Sequence, residues 1–495
     1  MLAAATGDDM YETLSAYWPH ILVVISLLLG VPAAIHATMT KEEVRAAIGW
    51  VGVILLSPVV GPLIYAVGGV NRVRRKTLNL TREGLLAGWP HMAGYDVTGD
   101  HMQVTYGGAL ASMQRLGDTV GRGKLTSGNR ITLLATGDEA YGAMLAAIDG
   151  AERSVLLETY IFDRDAVGER FVAALSAAVR RGVAVRVLID AVGARYSIPS
   201  IVGTLQKAGV PVEVFNGNIV MGLRLPYANL RTHRKILVVD GAAAFTGGLN
   251  IRAGFSALDS GGGRAALDTH FRVTGPIVGD LFRTAYEDWR FSGGEELSGE
   301  QWQIVAPPDP PGEGMLARVV PSGPDKCVET NHRMLMGAVS VAKKHIRIMS
   351  PYFLPDRELI SAIVTAARRG VEIDIVVPAA NNLKLVDLAM TAQFDQLLKY
   401  GCRIWRASGP FNHSKLTVID GIWSYIGSSN IDPRSLRLNF EVDIEVIDAD
   451  FADLIGHRIA TALASAEAVR LDALRARPFP RRLVERITWL GSPYL

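Results

Sequence analysis

The stretch RTHRKILVVDGAAAFTGGLN, residues 231–250, decides the fold. A histidine stands two residues before a lysine. Four apolar residues follow at 236–239, then Asp240-Gly241 and the pair Gly247-Gly248. The same order recurs in FNHSKLTVIDGIWSYIGSSN, residues 411–430. A short continuous apolar run suits a strand buried on both faces, and Asp-Gly is a hairpin-turn signal. Side chains at i and i+2 of a strand point the same way, so His233 shares a face with Lys235 and His413 with Lys415. Asn250 and Asn430 follow at one offset, beyond glycines that let the backbone approach a ligand closely.

The repetition extends outward. SVLLETYIF (154–162), GERFVAALSAAVRRG (168–182) and VAVRVLID (183–190) read as strand, amphipathic helix and strand. This βαβ pattern favours a parallel sheet with both faces covered. HIRIMSPYF (345–353), LISAIVTAARRG (359–370) and VEIDIVVP (371–378) repeat it. Order and spacing agree, so the chain carries two copies of one domain. We expect a first domain at 126–295, a Pro/Gly-rich linker at 296–318 and a second domain at 319–495. The Gly-rich segment 77–125 is expected to be a connector.

Two copies packed face to face give one site with two His, two Lys and two Asn, an inventory that suits a phosphodiester. Ammonium and amide groups at Lys235, Lys415, Asn250 and Asn430 can bind the phosphate and neutralise its non-bridging oxygens. One neutral imidazole can attack phosphorus; the other, protonated, can supply the leaving alcohol with its proton. The lysines provide the positive charge, so we expect no metal and no cofactor. The remaining histidines show no metal-ligand spacing, and no phosphate-binding glycine motif of the nucleotide-binding type is present. Asp240 and Asp420 open the turns, and on the strand pattern their role is to hold the hairpins.

The first eighty residues differ in kind. YWPHILVVISLLLGVPAAIHA (17–37) and AAIGWVGVILLSPVVGPLIYAVGGV (46–70) are each about as long as a membrane span, with Pro58 and Pro62 expected to kink the second. The residues before the first run are acidic (Asp8, Asp9, Glu12), which argues against a cleaved signal peptide. We therefore expect a membrane hairpin over 1–76, with spans at about 18–37 and 47–69. NRVRRK (71–76) follows it. By the positive-inside rule its basic residues put the rest of the chain in the cytoplasm, and they can touch anionic lipid. A mean hydropathy of +0.21 fits a membrane portion.

Charge is nearly balanced, with 51 basic and 49 acidic residues. A nucleic-acid groove would need a basic excess, so no nucleic-acid partner is expected. Two cysteines, Cys327 and Cys402, exclude a disulfide framework. Oligomeric state is left open.

These motifs resemble the phospholipase D superfamily, whose signature is H-x-K-x4-D with a downstream G-S/G-x-N. Both copies fit: His233, Lys235, Asp240 and His413, Lys415, Asp420. The pieces TYIFDRDAVG, DTHFRVTGP, VVPSGPD, SPYFLPD, RSLRLNFEV and LGSPYL make the chain similar to bacterial cardiolipin synthases with two N-terminal spans. The resemblance implies an α/β fold: two tandem phospholipase D-like domains, each a mixed sheet flanked by helices, forming one pseudo-twofold active site behind a transmembrane helical hairpin. It implies six catalytic residues, the two Asp of the signature among them. It further implies transfer of a phosphatidyl group between two phosphatidylglycerol molecules in the bacterial inner membrane, with His233 as nucleophile and His413 as general acid and base. Asp268 and Glu441 match the positions that orient the histidines. Two departures stand out: Thr232 where the family commonly has Asn, and a Gly-rich 252–270 without Tyr or Trp. Hydrolysis, or transfer to another alcohol, is the alternative. The loop 218–231 is a candidate for contact with the membrane interface.

Overall fold

The computed structural model describes residues 7–41, 43–69, 92–216, 230–261, 263–325 and 327–492. The basic cluster 71–76, most of the loop 218–231 and the last three residues lie outside them. The chain divides into two compact units, Met1–Arg74 and Arg75–Leu495.

In the N-terminal unit one helix, Gly7–Thr40, carries a 24-residue apolar stretch from Tyr17 to Thr40 with mean hydropathy 2.2. At 1.5 Å per residue it is about 36 Å long, enough for a hydrocarbon core of ~30 Å. Val23, Leu27, Leu28 and Ile35 stand exposed on it, as lipid contact requires. The second apolar run is not one straight span. It forms a helix Val44–Leu56, then a helix Val60–Ile64 that runs into a π-helical turn Tyr65–Gly69. The break is at Ser57-Pro58-Val59. Pro58 has no N–H to continue the ladder, and Val59 takes φ 67°, a left-handed conformation that costs a β-branched residue. The chain folds back so tightly that a Cβ on Gly61 would lie 2.2 Å from the Val53 carbonyl oxygen. Tyr65 then meets the ring of Trp50 at 5.3 Å and hydrogen-bonds His36 Nδ1 at 2.7 Å. Lys41 Nζ donates to the Gly69 carbonyl at 2.5 Å.

The second unit is built on one continuous mixed sheet. Its first half holds β1 (Thr126–Leu134), β2 (Ser154–Thr159), β3 (Ala184–Asp190), β4 (Val212–Phe215), β5 (Arg231–Thr232), β6 (Ile236–Val239), β7 (Ala243–Gly247) and β8 (His270–Thr274). The second half holds β9 (Met315–Ser322), β10 (His345–Met349), β11 (Glu372–Pro378), β12 (Arg403–Ala407), β13 (Leu416–Ile419), β14 (Trp423–Gly427), β15 (Asn439–Ile447) and β16 (Ala466–Ala468). The order is β16-β12-β11-β10-β13-β14-β15-β9-β1-β8-β7-β6-β2-β3-β4, with β5 on β15. It reads the same outward from the β9/β1 seam in both directions, apart from β16 at one edge. The seam is antiparallel, so the halves are related by a pseudo-twofold axis. Along this main path only β2-β3-β4 and β10-β11-β12 run parallel, and the rest is antiparallel; off it, the short β5 pairs β15 in parallel. Each βαβ unit was therefore legible, but the parallel part stops where the His-Lys strand enters.

The segment expected to be a connector contains a helix, Gly99–Val120, N-capped by Thr98 and kinked at Gly107, which has φ 82°. It buries Met102, Leu110 and Met113 in the core of the second repeat, together with Met334, Leu335 and Ala338. Its glycines obscured the helical period. Gly117 is needed because Arg318 packs there, 2.1 Å from where a Cβ would be.

Asp240 and Asp420 sit at the far ends of β6 and β13 from the histidines. Asp240 and Gly241 have φ 52° and 60°, and Asp420 and Gly421 53° and 68°, which is what a two-residue primed turn demands. The Asp240 carboxylate accepts from the backbone N–H groups of Glu152, Arg153 and Ser154 at 2.8–3.0 Å. Asp420 accepts from those of Lys343, Lys344 and His345 at 2.7–2.9 Å. Each turn is thereby fastened to the strand that enters beside it. Asp420→Ala leaves three N–H groups without their acceptor. It is expected to cost about 2 kcal/mol, read as a lower denaturant midpoint, with Asp420→Asn losing less.

Candidate active site

Each histidine is positioned by the opposite repeat. His233 N donates to the Phe440 carbonyl at 2.8 Å, extending the short pairing of β5 with β15. His413 N donates to the Leu267 carbonyl at 2.7 Å, where Leu267 and Asn412 form an isolated parallel bridge. The side chains follow. His233 Nδ1 lies 2.9 Å from Glu441 Oε2, and His413 Nδ1 lies 2.7 Å from Asp268 Oδ2. A carboxylate can only accept, so Nδ1 carries the proton in both rings and each neutral imidazole keeps its lone pair on Nε2. Glu441 and Asp268 are fully buried.

The lysines lie under the histidines. Lys235 Nζ donates to the His233 carbonyl at 2.6 Å, and Lys415 Nζ to that of His413. Asn250 Oδ1 accepts from Ile161 N at 3.1 Å, and Asn430 Nδ2 reaches Ser435 Oγ at 3.5 Å. His233, His413, Asn250 and Asn430 line one cavity of about 370 Å³ with Tyr160, Tyr352, Phe255 and Phe411. A larger cavity, about 560 Å³, lies along Pro276–Asp280 and Leu297–Ile304 and holds neither histidine.

Burial sets the protonation states. It drives His413 down to about 4, helped by Lys415 and opposed by Asp268. It lowers His233 as well, against the pull of Glu441. Burial brings Lys235 down to about 7 and Lys415 to about 8. For Asp268, burial alone would raise the pKa, but His413 and Lys415 together hold it below the usual carboxylate value. For Glu441, burial likewise pushes up and His233 prevails. Burial thus leaves two neutral imidazoles over two lysines and two carboxylates.

The structure brings together His233, Lys235, His413, Lys415, Asn250, Asn430, Asp268 and Glu441. It does not bring Asp240 or Asp420 to the cavity. The glycine pairs serve a different purpose from close approach to a ligand. A Cβ on Gly248 would lie 2.2 Å from Asp268 Oδ1, so the position is kept bare for the carboxylate. Its counterpart Ser428 instead donates to Glu441 Oε2 at 2.6 Å. Sequence reasoning missed Ser428, and also Arg234, which is fully buried. Arg234 pairs with Asp288 at 2.5 Å and donates to the Glu441 carbonyl at 3.0 Å. A buried arginine between the His and Lys of a signature was the available signal. Thr232, the departure from the family pattern, is buried and donates to Glu158. Away from the cavity, His332 pairs with Asp356 at 3.0 Å, and Glu358 stands close by, a grouping that spacing did not reveal.

Replacing a histidine-orienting carboxylate by its amide offers a donor where only an acceptor serves. Glu441→Gln and Asp268→Asn are each expected to lower turnover of a phosphodiester substrate by about 10²–10⁴-fold while leaving the chain folded, checked by steady-state assay beside a melting curve.

A family model described as cardiolipin synthase, PLD-like domain, matches residues 144–257 and again 335–461, one match in each repeat. Cardiolipin synthase A of Pseudomonas fluorescens is 31% identical over 493 residues, covering 97% of this chain and 99% of that protein. Cardiolipin synthase A of Pseudomonas aeruginosa is 31% identical over 501 residues, covering 99% and 98%. Among solved structures, the phosphatidylserine synthase of Haemophilus influenzae superposes with a TM-score of 0.58 at 14% identity. It covers 78% of this chain and all of that one, and so shares the fold. With a signature in each repeat and relatives matched almost end to end, the chain belongs to the cardiolipin synthase family of the phospholipase D superfamily.

Proposed function

We propose that this enzyme transfers a phosphatidyl group from one phosphatidylglycerol to the glycerol hydroxyl of another, making cardiolipin and free glycerol. The supporting observation is the pair of carboxylate-oriented imidazoles, each contributed across the seam, facing one cavity. His233 Nε2 attacks the donor phosphorus, forming a P–N bond as the P–O bond to glycerol breaks. The proton for the leaving oxygen comes from His413 Nε2. Burial keeps His413 neutral, and the donor's phosphodiester anion favours its taking up a proton. Lys235 and Lys415 neutralise charge on the equatorial oxygens. His413 then removes the proton of the acceptor hydroxyl, which attacks phosphorus and releases His233. Asp268 and Glu441 hold the rings. The exchange of roles between the histidines is the second reading. It is favoured by the aromatic surroundings of His413, whose ring lies about 6 Å from those of Phe255, Tyr352 and Phe411.

The substrates are lipids and the N-terminal helix is long enough to cross a membrane, so we read the chain as an integral protein of the bacterial inner membrane. The basic residues at 72–76 argue that the catalytic repeats face the cytoplasm.

Phosphatidylglycerol vesicles incubated with the purified protein are expected to yield cardiolipin and glycerol by mass spectrometry, with none from His233→Ala. Phosphatidic acid as the main product would make the enzyme a hydrolase. A phosphatidyl adduct trapped on the peptide containing His413 instead of His233 would exchange the two roles.

A further inference from the structure

The site is pseudo-symmetric in His, Lys and Asn but not in its cations. Arg231, Arg252 and Arg434 all line the cavity. At the repeat offset Arg231 corresponds to Phe411, and Arg434 to Gly254. The cavity therefore has a cationic side and an aromatic side. His413 lies among Phe255, Tyr352 and Phe411. His233 lies beside Tyr160, with ring centroids 5.0 Å apart, and both Arg231 and Arg434 act electrostatically on that tyrosine. The two arginines come from neighbouring segments: Arg231 is on β5, and Arg434 is in the turn of helix Pro433–Arg437 that leads into β15, to which β5 is paired. Arg252 is already matched by Asp163 at 3.0 Å. The carboxylate of Asp432 caps the helix, accepting from Ser435 N at 2.8 Å, and feels the charge of Arg434 without forming an ion pair with it. The half-buried guanidinium of Arg434 has no hydrogen bond or ion pair among the described residues.

The geometry points to Arg434, with Arg231 beside it, as an anion subsite for the phosphodiester of the second lipid, the one that does not react. This rests on the phosphatidyltransferase reading. The two lysines and two carboxylates around the imidazoles already balance one another, so a second phosphate needs its own cation. Water, glycerol and other neutral acceptors do not. Arg434 thus selects a lipid acceptor that itself carries a phosphate. The test compares two reactions of one enzyme in phosphatidylglycerol vesicles: cardiolipin formation, and exchange of the head group with labelled glycerol, whose acceptor is neutral. In Arg434→Ala the ratio of cardiolipin formed to glycerol exchanged is expected to fall about 10–100-fold, with partial recovery in Arg434→Lys. An unchanged ratio, whether both reactions fall together or neither does, overturns the subsite. Wild-type protein that performs neither reaction would instead overturn the phosphatidyltransferase reading.

A separate observation concerns the N-terminal unit. Because Tyr65 and Gly69 return to His36, Lys41 and Trp50, the segment 44–69 ends at the level where it began. We infer that it enters the membrane and re-emerges on the same side, so the chain crosses once, along Tyr17–Thr40. The connector 38–45 and the end of the segment at Gly69 then lie on one side of the membrane, and the N-terminal end on the other. Single cysteines at Asp9, Thr40 and Gln206 report this with a membrane-impermeant maleimide, in intact and permeabilised cells; native Cys327 and Cys402 are buried. Thr40→Cys is expected to share the accessibility of Gln206→Cys, and Asp9→Cys to show the opposite. Two full spans would put Asp9→Cys with Gln206→Cys and Thr40→Cys opposite. That pattern, or all three on one side, overturns the inference.

Discussion

The hydrogen bonds between His233 and Glu441 and between His413 and Asp268 are the interactions on which the rest of the structure depends. Each joins an imidazole from one repeat to a carboxylate from the other. Neither half contains a complete catalytic pair, so the duplication exists to be assembled. The continuous sheet, the antiparallel β9/β1 seam and the backbone bonds at His233 N and His413 N all serve to bring those partners within reach. Arg234 reinforces the arrangement from below, bonded to the carbonyls of Glu441 and Ser322 in the second repeat and to Asp288 in the first.

Burying four charged groups under a cavity is costly unless they are paired. Here the pairing is reciprocal. Glu441 and Asp268 hold their negative charge because the histidines and lysines face them. The lysines, deprived of water, bind their protons more weakly than in solution. Such a site responds to the arrival of an anion: a phosphodiester beside the lysines and imidazoles favours their protonated forms, which burial disfavours. On the proposed mechanism, that anion is what lets two imidazoles, both neutral by burial, take different protonation states.

The cavity departs from symmetry in a particular way. The symmetric groups, His, Lys and Asn from each repeat, cluster at its centre. The asymmetric groups lie further out, with arginines on one side and aromatic rings on the other. Even the carboxylate supports differ: Gly248 yields its space to the short Asp268, while Ser428 steadies the longer Glu441 with a hydroxyl. A duplicated scaffold can thus keep its chemistry twofold while its recognition is not.

The sequence by itself determined the duplication, the two His-x-Lys strands, their Asp-Gly turns and the residue inventory of the candidate site. Those signals are local: apolar runs, turn dipeptides and the alternation that puts His and Lys on one face. It named Asp268 and Glu441 through a family resemblance, without saying which histidine each serves, because that pairing spans 145 and 208 residues and depends on how the halves dock. The helix 99–120 escaped notice because its glycines, of which Gly117 makes room for Arg318, carry no period. Hydropathy gave the second apolar run its span-like length, but counting residues cannot register the break at Ser57-Pro58-Val59. Only the tertiary structure decided the crossed pairing, the cationic and aromatic sides of the cavity, and the fold-back at Pro58. All three arise from contacts between segments that one-dimensional periodicity does not encode.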